Sequence, residues 1–103
     1  MGFDQYHEPV EELSQQTRTF ARMMVSLIEE AEAIDWYEQR MSVEQDAEAR
    51  AIMADAQKEE FKHFSMDLEF LLRRKPIWRE IAEGVLFSTG SIVEHGDDAE
   101  ESA

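Results

Sequence analysis

Apolar residues return every seven positions along the first part of the chain, at Leu13, Phe20, Leu27, Ile34 and Met41. Met23 and Tyr37 lie on a second row three residues on. A row of that period is one face of a long amphipathic helix built to pack along its whole length. Pro9, followed by Val10-Glu11-Glu12, suits a first turn with acids at its positive end, so this helix is expected from Pro9 to about Arg40. The polar stretch Ser42 to Asp46 reads as a turn. A second helix is expected from about Ala47 to Arg74, with Ile52, Ala56, Met66 and Phe70 along one face. Its end is marked by Arg73-Arg74-Lys75 before Pro76, basic residues that suit the negative end of a helix. A shorter helix from Pro76 to about Phe87 carries Ile77, Ile81 and Val85 at spacings of four, and Gly90 breaks the chain after it.

The expected fold is therefore all-α: an antiparallel two-helix hairpin plus a short C-terminal helix over residues 1–94. Ile92-Val93 is expected to dock briefly, and the acidic segment 95–103 to be an unstructured tail. A hairpin supplies only half the walls of a four-helix bundle, and 103 residues bury a modest core. A second copy of the chain would cover the open seam.

Composition narrows the functions available. The absence of cysteine removes disulfides, thiolate metal sites and cysteine nucleophiles, and fits a cytoplasmic location. With 24 acidic against 10 basic residues the formal charge is −14, which repels nucleic-acid phosphates. It attracts cations, although a well-hydrated surface has the same composition. No apolar run approaches a membrane span, and Met1-Gly2-Phe3-Asp4 carries no secretory pattern.

Polar residues interrupt the seam at a few places. Glu30 lies three residues after Leu27 and four before Ile34. On the second helix Glu60 and His63 are three apart, so they share a face. Counted back and forward from the turn, Glu30, Glu60 and His63 fall at about the same level of the hairpin at ~1.5 Å per residue. Ionised carboxylates in a seam are costly unless paired or bound to metal. In carboxylate-bridged two-metal bundles, two helices each give a Glu and the other two each give a Glu-x-x-His pair. This chain holds one copy of each part, so two copies complete the set. Oxygen and imidazole donors suit iron, with manganese or zinc as alternatives. A helix face with Glu and His in water is the rival reading. His7 and His95 lack such neighbours and are expected to be solvated.

The run Ile28-Glu29-Glu30-Ala31-Glu32-Ala33-Ile34-Asp35-Trp36-Tyr37, with Glu59-Glu60-Phe61-Lys62-His63 after it, resembles the encapsulated ferritins. The resemblance extends from His7-Glu8-Pro9 to Leu86-Phe87. These are short two-helix members of the ferritin-like superfamily, carried inside encapsulin nanocompartments. The resemblance implies a ferroxidase that oxidises Fe(II) to Fe(III) for iron storage. It implies that Glu30, Glu60 and His63 bind two irons per homodimer, and that dimers assemble into a decameric ring. Glu29 and Glu32 would meet the metal first, with Trp36 beside the path. Tyr37, two turns beyond Glu30, is expected to pack its ring and to offer its hydroxyl to a ligand. Family members end in a short apolar peptide that docks on the encapsulin shell, whereas this sequence closes on Asp97-Asp98-Ala99-Glu100-Glu101-Ser102-Ala103. Association with a shell protein therefore rests on the resemblance alone.

Two other readings compete with a ferroxidase. Cations could merely hold two acidic hairpins together, giving a metal-dependent assembly module without turnover. Alternatively, the hairpin could be a metal-free interaction protein.

Overall fold

The computed structural model describes residues 5–103, and the reading of Met1–Asp4 lies outside them. The described residues are all-helical, with no strand: a 3-10 turn at Val10–Glu12, then α1 (Gln15–Val43), α2 (Ala47–Arg74), α3 (Pro76–Val85) and α4 (Ile92–Ser102). The chain divides into two compact units, Met1–Glu69 and Phe70–Ala103, with the boundary inside α2.

The first unit is the hairpin. Its first helix begins at Gln15 and not near Pro9, because Ser14 caps it: Oγ accepts from the Thr17 backbone N–H at 3.1 Å. Leu13, just before, is extended at φ −82° and ψ 137°, which separates the 3-10 turn from α1. With 29 residues α1 is about 43 Å long. The turn to α2 takes three residues, held by its own acids. Glu44 Oε2 accepts from the backbone N–H groups of Gln45 and Asp46, each at 3.1 Å. Asp46 Oδ1 then accepts from Ala49 N–H at 2.8 Å, which caps the start of α2.

Gln57 ties the two arms together. It is buried, and its Nε2 donates to the Ile34 carbonyl at 3.1 Å and to Glu38 Oε1 at 3.0 Å. Pairing residues on either side of the turn in this way makes the hairpin antiparallel and fixes its register. The seam residues Phe20, Leu27, Ile34 and Met41 are only half-buried, and Ile52 and Met66 are 66% and 61% exposed.

The second unit runs from the end of α2 through α3 and α4. The Arg74 guanidinium sits 3.6 Å from the centroid of the Phe70 ring, a cation–π contact. Leu71 and Leu72 are buried here, and they are the only buried apolar residues among those described. Pro76 opens α3, where its missing N–H is no loss. The helix ends through Phe87 in the left-handed region at φ 61°, and Gly90 at φ 88° completes the reversal.

Residues 95–103 are not a tail. Residues 95–102 lie within α4, which is capped by Ser91, whose Oγ accepts from Glu94 N–H at 3.2 Å. Acidity suggested disorder, but a cap and a packing partner outweigh it: α4 lies against α3. Ile92 and Val93 themselves stay 71% and 72% exposed, so they do not dock. His95 is half-buried, with Nε2 2.7 Å from the Thr89 carbonyl, so it is not simply solvated.

Gly84 sets how close α3 and α4 come. A Cβ there would lie 2.7 Å from Ala99 Cβ, a contact that forces the helices apart. Gly84→Ala is expected to cost about 1–3 kcal/mol from overpacking, more than the ~1 kcal/mol of helix propensity it adds. Hydrogen exchange should show α4 amides opening sooner, and adding Ala99→Gly should restore protection. Unchanged α4 exchange in the single variant would refute the close approach.

Candidate metal centre

The centre is built from the arm of α1 that carries Glu30 and from the face of α2 that Gln57 turns towards α1. Glu60 follows Gln57 by three residues, one turn along the helix, and His63 follows Glu60 by three. His63 Nδ1 stands 3.2 Å from Glu60 Oε1. In the tautomer protonated on Nδ1, the ring donates to Glu60 and its Nε2 lone pair is free for a cation. The pair is accessible, with side-chain exposures of 42% for His63 and 22% for Glu60.

Glu30 is in a different environment. Its Oε2 is buried with no hydrogen-bond partner. Burial pushes its carboxyl up to about 8, with smaller contributions from the hydrogen bond and charge of Asp67 and from the charges of Glu60 and Glu29. The Glu30 and Glu60 carboxyls are thus electrostatically linked across the two helices, and Glu60 carries His63. Of the three residues that the sequence singled out, Glu60 and His63 are in contact, and Glu30 is linked to Glu60 through charge alone.

Carboxylate oxygens, one of them buried, together with an imidazole are donors whose chemistry fits a divalent cation. Among the described residues, however, no three His, Asp or Glu side chains of one chain converge on a single ion.

The other residues singled out are distributed around this set. Glu29 is exposed and Glu32 half-buried, on the turn of α1 that flanks Glu30. Trp36 is 51% exposed. Tyr37 is half-buried, with the Arg40 guanidinium 5.2 Å from its ring centroid, so the ring packs under a cation.

Sequence reasoning missed Asp67 and Gln57. Asp67 is 8% exposed and interacts with Glu30 directly. Its one signal was its offset of seven from Glu60, two helical turns along the same face. Gln57 had a comparable signal, one turn before Glu60, but an amide that sets register looks like any other polar helix residue.

Comparison with known proteins points in one direction. A sequence model of the EncFtn-like family matches residues 5–89. The chain is 44% identical over 91 residues to a ferritin-like protein of Thermotoga maritima, covering 88% of this chain and 80% of the relative. It is 41% identical over 99 residues to an encapsulated ferritin-like protein of Rhodospirillum rubrum, covering 94% of this chain and 71% of the relative. The crystal structure of protein ne0167 from Nitrosomonas europaea superposes with a TM-score of 0.83 at 40% identity, covering 86% of this chain and 98% of that one. A helical hairpin with matching sequence over most of its length leaves one assignment: the chain belongs to the EncFtn-like family.

Proposed function

We propose that this protein is a ferroxidase whose two-iron centre forms between two copies of the chain. The observation that carries the reading is the Glu60–His63 pair, 3.2 Å apart on α2, whose Glu60 charge acts on a Glu30 carboxyl with a buried Oε2. One chain provides half of a symmetric donor set, and a twofold axis doubles it to four Glu and two His. Four carboxylates balance about four positive charges, which two Fe(II) ions supply.

Iron is the substrate. Each Fe(II) gives up one electron, so two reduce dioxygen with two protons to hydrogen peroxide, or reduce peroxide with two protons to two waters. The carboxylates favour the more highly charged Fe(III), and the imidazole fills a coordination position without adding charge. His63 is held for this role by Glu60. Glu30 supplies the oxygen that burial has stripped of water.

Association with a second copy has a physical motive besides metal. Among the described residues only Leu71 and Leu72 are buried apolar residues, while Trp36, Ile52 and Met66 are more than half exposed. A chain of this length cannot offset its conformational entropy with so small a core. The R. rubrum relative is by name encapsulated. We extend that to this chain, whose product would then be stored inside an encapsulin compartment.

Anaerobic Fe(II) titration followed by exposure to air tests the reading. The expected result is two irons per pair of chains and the growth of Fe(III) absorbance. Iron bound without oxidation would leave the protein a metal-dependent assembly module.

Glu29, Glu32 and Trp36 are expected to govern how iron arrives. Replacing any one with alanine should change the oxidation rate at limiting Fe(II) by about 2–10-fold, in keeping with long-range attraction or gating and not with a lost ligand. Two irons per pair should still bind. Reduced stoichiometry in any of the three would make that residue a ligand.

A further inference from the structure

Asp67 has no part in the reading above. It lies on α2 seven residues after Glu60 and four after His63, which places the three side chains on one helix face. Although an acid, it is only 8% exposed, and its Oδ2 has no hydrogen-bond partner. The side chain it interacts with is Glu30, through a hydrogen bond and through charge. Glu30 Oε2 is also buried and partnerless. Two carboxyl groups from different helices therefore meet, each with a buried oxygen to which no N–H or hydroxyl donates.

Structural acids elsewhere in the hairpin look different. Asp46 caps α2 through Ala49 N–H, and Asp35 accepts from Gln39 Nε2 at 3.0 Å. Both are exposed, yet both have partners. Asp67, the one acid among the described residues that is buried, has an oxygen with none. A buried polar atom in that state calls for an ion or a group from outside the chain.

We propose that Asp67 is a cation-binding carboxylate of the same centre, so that each chain brings three acids and one imidazole to it. This rests on the two-chain metal reading. A pair of chains then presents six carboxylates, about two negative charges more than two divalent ions neutralise. That surplus favours retention of a trivalent ion over a divalent one.

Cobalt(II) serves as the probe, because its visible absorption reports coordination without any turnover. The full-length protein is titrated with Co(II), alongside Asp67→Asn, Asp67→Glu and His63→Ala. Asp67→Asn should weaken Co(II) binding at least about tenfold and shift the visible bands, at unchanged helicity. Asp67→Glu should recover much of the affinity. Parental affinity and bands in Asp67→Asn, with binding lost in His63→Ala, would overturn the role of Asp67 and leave the two-chain centre standing. No Co(II) binding by the parental protein would overturn both. Should Asp67→Asn fail to fold, anomalous scattering from Co(II)-loaded parental crystals decides. An Asp67 oxygen at about 2.0–2.2 Å from cobalt supports the assignment, and one beyond hydrogen-bonding distance overturns it.

Discussion

Replacing His63 with alanine is expected to lower the rate of Fe(II) oxidation by about a hundredfold or more while leaving the helical hairpin intact. The size follows from symmetry. Each substitution removes two ligands from a centre shared by two chains. Loss of a mere outer-shell partner already costs about 10–100-fold at a metal site. The selectivity follows from exposure. His63 is 42% exposed, and its contact with Glu60 is a neighbour on the same helix, so its removal should change stability by no more than about 0.5 kcal/mol. Circular dichroism and a urea melt of the metal-free protein would check that half of the prediction.

Glu60→Gln extends the same argument. The amide keeps the size of the side chain and can still meet His63, but it removes the charge that binds metal and changes what it offers Nδ1. Its oxidation rate should fall as far as that of His63→Ala. Parental oxidation by either variant would place the chemistry elsewhere in the molecule.

What the sequence made legible tracks how local each signal is. The second helix, Ala47–Arg74, has the limits its sequence predicts, because both are set locally. Asp46 caps one end, and Arg73-Arg74 before Pro76 close the other. The start of α1 is less legible, because Pro9 suits a first helical turn whereas the Ser14 hydroxyl is the group that caps a backbone N–H. The fourth helix was hidden by its charge. Its stabilising contact, Ala99 against Gly84, joins residues fifteen apart and shows no pattern in the chain.

At the centre, Glu60 and His63 were legible because an i, i+3 pair is a local pattern. Asp67 was not, since burial is what separates it from the other acids, and burial belongs to the fold. The same limit applies to Glu30. Its place in the seam was readable, whereas the loss of hydrogen bonds to Oε2 was not.

Metal is expected to drive the chains together, and pH to control how strongly. Burial first, and then Asp67, Glu60 and Glu29, raise the Glu30 carboxyl from 4.5 to about 8. The folded protein therefore holds a proton that the unfolded chain releases above about 4.5. The stability this contributes is complete below that value and is lost as pH rises through about 8. Between pH 6 and 8 the metal-free protein should weaken by on the order of 1 kcal/mol per pH unit, and Glu30→Gln should remove most of that slope. A divalent ion reverses the situation, because it binds the ionised carboxylate and displaces the proton. Its affinity should rise with pH over the same range, with proton release on binding. Since the ion binds only the associated state, free metal a hundredfold above its Kd favours association by about 2.7 kcal/mol. Light scattering at micromolar protein should show smaller species with chelator and pairs or larger assemblies with Fe(II) or Mn(II), more completely at pH 8 than at pH 6. In the Glu30→Gln, Glu60→Gln double variant, metal should no longer change the size distribution. Assembly indifferent to metal at both pH values would remove the shared centre from any role in bringing the chains together.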